Sequence, residues 1–191
     1  MDEVAGEISE DEHDEQADAE AEVRKRMALA QIRQYPDPAL RMRAREVEAF
    51  DGALVSLAER MAALMRDARG VGLAATQVGL LQRLFVFQHG EDELRVVVNP
   101  RIVEAGDVKE VDDEGCLSMQ GVLVPVERPA TVTLEGQDQT GAGIRLELEE
   151  LPARIVQHEL DHLDGVLILD RTTREGQREA LRTLREQPRL G

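Results

Sequence analysis

The chain has 191 residues, 42% of them hydrophobic, which suits one domain with a substantial core. Its formal net charge of −16 is concentrated at one end: residues 1–22 hold eleven acidic residues and no Lys or Arg, leaving 28 acidic against 23 basic residues elsewhere. The acidity therefore belongs to a tail; a single cysteine excludes an intramolecular disulfide, and no apolar run approaches the roughly 20 residues of a transmembrane helix.

The tail, taken as residues 1–29, has few large apolar side chains and no aromatic, so it cannot bury enough surface to offset its ordering entropy. It is expected to be disordered, with at most a transient helix near Ala21–Ala30. It lacks the apolar segment of a signal peptide and is too acidic for an organelle transit peptide, so the chain reads as cytoplasmic. A catalytic domain is expected over residues 30–172, entered through Tyr35-Pro36-Asp37-Pro38, whose prolines favour extended or turned backbone. Asp51 is a candidate cap for a helix running to about Arg69, ended by Gly70. Leu54, Leu57, Ala58, Met61, Leu64, Met65 and Ala68 follow helical spacing and form its buried stripe.

Gly70-Val71-Gly72-Leu73-Ala74-Ala75-Thr76-Gln77 places small residues between apolar ones, which suits a strand approached closely by a ligand. A phosphate-binding loop would need G-x-G-x-x-G spacing, which is absent. Strands are expected at Leu84–Gln88 and Leu94–Val98, joined by a hairpin at His89-Gly90-Glu91-Asp92, and at Arg101–Glu104, Gly121–Val126, Ala130–Glu135 and Ile144–Leu148. Cys116 lies between them, in Glu114-Gly115-Cys116-Leu117-Ser118.

A second helix carries His158-Glu159-Leu160-Asp161-His162. Positions i and i+4 share a helix face, so both imidazoles can reach one divalent metal. A polar helix face with hydrogen-bonded histidines is the plainer alternative. Leu151, Ile155, Leu160 and Leu163 mark the buried side, Pro152 falls in the first turn and Gly165 supplies the stop. Cys116 could complete a three-ligand set with an open fourth position. Glu159 is then placed to act on a water as general base. Asp161 either orients an imidazole or holds the helix. From Thr173 onward, arginines from Arg174 to Arg189 alternate with Ala180, Leu181 and Leu184, suggesting a basic C-terminal helix over residues 173–191. Strands between helices indicate an α+β fold, mostly antiparallel sheet packed around a central metal-binding helix.

The three motifs, G-x-G-x-A-A-x-Q, E-G-C-L-S and Q-H-E-x-D-H-L-x-G, resemble those of the peptide deformylases, in that family's order and from about Tyr35 to Thr172. The resemblance implies a metal-dependent hydrolase that removes the N-formyl group from the initiator methionine of newly made polypeptides, releasing formate. It implies Cys116, His158 and His162 as ligands, with Fe(II) as the native metal and Ni, Co or Zn as substitutes; ligand softness alone favours Zn. Gln77 and the backbone N–H of Leu117 would stabilise the oxyanion. Val71, Gly72, Leu151 and Ile155 would line the substrate site, and Gly121 would sit in an edge strand beside the peptide. Glu114 would pair with Arg128.

This chain departs from the family after E-G-C-L-S, where Met119-Gln120 replaces the usual aliphatic residue and proline. The Arg-rich C-terminus suggests contact with ribosomal RNA, with a solvated helix face as the alternative; no membrane partner or specific DNA is implied. Rival readings are a zincin-type endopeptidase, a Cys116 thiol hydrolase, and an inactive relative that only binds a metal or the ribosome. No histidine follows His162 to serve a zincin, and the paired histidines argue against a metal-free thiol enzyme.

Overall fold

The computed structural model describes residues 10–186. Seven strands, β1 (Gly72–Ala74), β2 (Leu84–Phe87), β3 (Arg95–Ala105), β4 (Lys109–Cys116), β5 (Met119–Pro129), β6 (Thr131–Gln137) and β7 (Gly143–Glu149), are interleaved with five helices. These are α1 (Glu10–Leu29), α2 (Gly52–Asp67), α3 (Glu150–Leu163), α4 (Ile168–Arg171) and α5 (Arg174–Glu186). Five strands form an antiparallel sheet in the order β1-β2-β3-β6-β7, and β4 with β5 forms a separate hairpin. The fold is α+β, as the run of strands between helices implied.

Strand β2 shows how the sheet is held. Successive side chains point to opposite faces. Leu84 and Val86 join the core formed by α2 and the end of α1, whereas Phe85 and Phe87 join the core under α3. With both faces covered, β2 is apolar throughout. Strand β5 alternates instead: Val122, Val124 and Val126 are buried against α4 and α5, while Leu123, Pro125 and Glu127 are exposed.

Helix α2 begins where expected. Asp51 accepts hydrogen bonds from the Ala53 and Leu54 N–H groups, satisfying donors that have no partner within the helix. The expected stripe is buried, with Leu57 half-buried. The left-handed residue that ends the helix is Arg69, at φ 57°, and not Gly70.

Three elements differ from what the sequence led us to expect. The tail was expected to lack structure, yet Glu10–Leu29 forms α1, a 20-residue helix. Its sequence is rich in Glu and Ala, which favour helix, and its last turn is anchored by Ala28 and Leu29, packed in the α2 core. Residues 1–9 and 187–191, including Arg189, lie outside the described residues. Strand β4 was not expected; its sequence Lys-Glu-Val-Asp-Asp-Glu-Gly-Cys is charged because all but Glu114 and Cys116 are exposed. The two short strands expected at 94–98 and 101–104 form one, β3, bent by a register shift between Val98 and Arg101.

Candidate metal centre

Helix α3 starts directly from β7, at Glu150 with φ 54°, and runs between the sheet and the hairpin. Nine of its 14 residues are buried, including Arg154, Gln157, Glu159, Asp161 and His162, because neighbours cover it on both sides. Leu151 and Leu160, expected on the buried side, are not: Leu151 is 43% exposed and Leu160 half-buried. The first turn of α3 ends at an open cleft, and Leu151 forms part of its wall. Gly165, at φ 74°, follows the helix; a Cβ there would come within 2.6 Å of the Arg41 carbonyl oxygen, so only glycine fits.

The hairpin and α3 bring Cys116, His158 and His162 together, with one ligand atom from each within 4.8 Å of the others. Cys116 Sγ lies 3.2 Å from His162 Nε2. Bond lengths of about 2.1 Å to nitrogen and 2.3 Å to sulfur would put such donors roughly 3.5 Å apart around a tetrahedral ion, close to the spacing of Cys116 and His162. The tautomer is set from outside: His158 Nδ1 is 3.1 Å from Glu114 Oε2, which leaves Nε2 for a cation. Burial and the charges of His158 and Arg128 hold His162 well below its usual pKa, hence neutral. Burial opposes charge on His158, but Cys116 and Glu114 outweigh it and raise its pKa well above the usual value; surroundings that favour a proton here also favour a cation.

Glu159 is 3% exposed, and its Oε2 is buried with no hydrogen-bond partner in the protein. Burial pushes its pKa up to about 7. Its other oxygen occupies the space a side chain on residue 72 would need, since a Cβ on Gly72 would fall 2.3 Å from Oε1. That close approach accounts for glycine in β1. An orphaned carboxylate oxygen beside three soft and borderline donors fits a bound divalent cation with its water.

Gln77 sits on a 3-10 turn over Ala75–Val78 that follows β1. Its Oε1 accepts the Ala74 N–H at 2.9 Å, which turns Nε2 toward Ser118 Oγ at 3.1 Å and Cys116 Sγ at 3.7 Å. The peptide of Leu117 is held from the other side, its carbonyl accepting from Gln34 Nε2 at 3.1 Å. Gly70 leaves room for Leu117, whose Cδ1 would be 2.6 Å from an added Cβ.

Beneath the cluster lies a buried charge network. Arg128 donates to Glu114 in a two-pronged pair at 2.6 and 2.8 Å, and Arg154 Nη1 donates to the same carboxylate at 2.8 Å. Burial alone would raise the Glu114 carboxyl, but Arg128 and His158 hold it well below the usual carboxylate range. Asp161 accepts from Arg128 at 2.9 Å and from Arg171 at 2.5 and 3.0 Å. It touches neither imidazole through a hydrogen bond, so of its two expected roles the geometry gives it the helix-holding one. Arg154 and Arg171 were not singled out from sequence. Arg154 carried a usable signal, since it stands four residues before His158 and shares its helix face.

The cleft beside the cluster has a volume of about 520 Å³, within the usual range for small-ligand sites. Val71, Gly72, Gly121, Leu151 and Ile155 all line it, as do Cys116, His158 and Glu159. Only Ile155 and Gly72 among the first five are buried; Val71 is 47% exposed. Met119 and Val122, in the segment that departs from the family pattern, are buried in the hairpin and also reach the cleft.

The family model described as polypeptide deformylase matches residues 29–178. A peptide deformylase of Clostridium botulinum is 49% identical over 149 residues, covering 78% of this chain and 100% of that one. One from Thermotoga neapolitana is 47% identical over 143 residues, covering 75% and 87%. Among solved structures, a peptide deformylase from Legionella pneumophila aligns with a TM-score of 0.78 at 39% identity, over 81% of this chain and 92% of that one.

Proposed function

Since the chain belongs to the polypeptide deformylase family, we propose the division of labour by which its site removes the N-formyl group from nascent peptides. Cys116, His158 and His162 would hold one divalent cation, whose charge lowers the pKa of a water to about 7 and polarises the formyl oxygen. Glu159 takes a proton from the attacking water and returns it to the leaving nitrogen, a task suited to a carboxyl pushed up to about 7. Gln77 Nε2 and the Leu117 N–H donate to the formyl oxygen as it gains charge. The new C–O bond forms first, and the C–N bond then breaks as the nitrogen takes the proton from Glu159, leaving formate and a free amino terminus. Ile155 walls the methionine side chain, with Val71 and Leu151 at the mouth; aliphatic walls suit an unbranched thioether.

The observation that carries this reading is the buried, unpartnered Oε2 of Glu159 beside the three donors. Glu159→Gln should keep stoichiometric metal while formate release from formyl-Met-Ala falls by about 10²- to 10⁴-fold. Near-normal turnover in that variant would sink the mechanism.

Three finer readings go with it. The native ion is Fe(II), with Zn, Ni or Co as substitutes. The protein works in the cytoplasm, where formylated chains are made; no described helix is long and apolar enough to cross a membrane. Helix α5, whose Arg174, Arg178, Arg182 and Arg185 outnumber its three glutamates, docks on ribosomal RNA. Such docking weakens steeply with salt, and salt-insensitive association would count against it.

A further inference from the structure

The family match begins at residue 29, yet the cleft wall extends upstream of it. Lys25 lines the cleft together with Leu29, four positions later on the same face of α1. Leu29 is 5% exposed and packs in the core with Met65 and Ala68, so this turn of α1 is fixed to the domain. Lys25 is half-buried, whereas its neighbours Arg24 and Arg26 are exposed. Arg69, just past the end of α2, adds a second cation to the same wall.

These two charges are nearly free. Lys25 has Glu22, itself exposed, at 4.0 Å, a pair at the limit of contact and worth little. Arg69 forms no ion pair among the described residues. Of the other charges in the lining, Glu114 and Arg154 are committed to each other, and His158 and Glu159 to the proposed reaction centre. Asp113 and Leu123, both on the hairpin, also line the cleft, Leu123 being 70% exposed. The helices α1 and α2 thus bring two cations to the cleft, whereas the hairpin brings an acidic and an apolar side chain.

We propose that Lys25, with Arg69, forms an outer subsite that favours nascent peptides carrying an acidic side chain shortly after the methionine. Helix α1, lying before the matched family region, thereby contributes to substrate choice. The proposal rests on the deformylase reading above. An extended peptide points successive side chains to opposite sides, so the preference falls on one set of alternate positions.

The test compares kcat/KM for formyl-Met peptides with Glu or Lys at position two, three or four. At one position at least, the unmodified protein should favour Glu by about 3- to 5-fold, through KM, and about 0.5 M salt should erase the difference. Lys25→Glu should reverse the ratio and Lys25→Arg should preserve it. If Lys25→Glu does not fold, Lys25→Ala and Arg69→Ala should each shrink the ratio. Equal rates at all three positions, or a ratio that Lys25→Glu leaves unchanged, would overturn the subsite. No formate from any peptide, formyl-Met-Ala included, would instead remove the deformylase reading.

Discussion

Gly72 is where the reaction centre admits no side chain, because the Glu159 carboxylate fills the space. Gly72→Ala must push that carboxylate aside, and displacement by about 1 Å can cost 10²-fold in rate. Formate release should fall by about that factor while metal content and melting temperature change little. An unaltered kcat would show that Glu159 is not held where the reaction needs it. Glu114 has a different task, since one carboxylate serves Arg128, Arg154 and His158. Glu114→Gln leaves two buried guanidiniums short of an anion, which costs about 3–5 kcal/mol. Urea titration should find that loss; a loss under about 1 kcal/mol would mean the network is solvated. At this scale the sequence was most informative, because the spacing of His158 and His162 on a helix has a geometric consequence. Arg171 was not legible in that way: it meets Asp161 only through the turn that follows α3.

Elements were legible in proportion to how much of each is buried. Helix α2 has one buried face and a side-chain cap, and both leave periodic or positional marks. Strand β4 is exposed over most of its length, so nothing obliges its residues to alternate, and it is defined by its pairing with β5. Helix α1 is the converse case, good helix-forming residues with burial over residues 16–29 confined to the last turn. Its stability should therefore be divided unevenly. Removing residues 1–15 should leave the melting temperature within about 2 °C. Leu29→Ala, at 5% exposure, should cost about 2–3 kcal/mol, a drop of roughly 5–10 °C. The reverse pattern in thermal denaturation would show that the upstream turns dock on the domain and that the last turn does not hold them.

At the scale of the whole molecule, the three proposed ligands come from two separate pieces of structure, Cys116 from the hairpin and both histidines from α3. A bound cation therefore ties hairpin to helix. The same two pieces are already joined by Glu114 to Arg154, and by Arg154 to the carbonyls of Val126 and Glu110. Chelation should thus abolish formate release and lower the melting temperature by a few degrees, through loss of linkage, while unfolding stays cooperative. Which ion restores the rate is a separate matter. Ligand softness favours Zn for two imidazoles and a thiolate, whereas the family resemblance points to Fe(II). Iron beside a thiolate in an open cleft is exposed to oxygen, which can attack the metal or climb the oxidation ladder of Cys116. One apo preparation, loaded anaerobically with Fe(II), Ni(II), Co(II) or Zn(II) and assayed with and without air, separates the two. Fe(II) should give the fastest turnover and lose it in air, with mass spectrometry of Cys116 reporting any sulfur oxidation. If the Zn form is fastest and air leaves the Fe(II) form unchanged, iron is not the native ion, and the three ligands stand regardless.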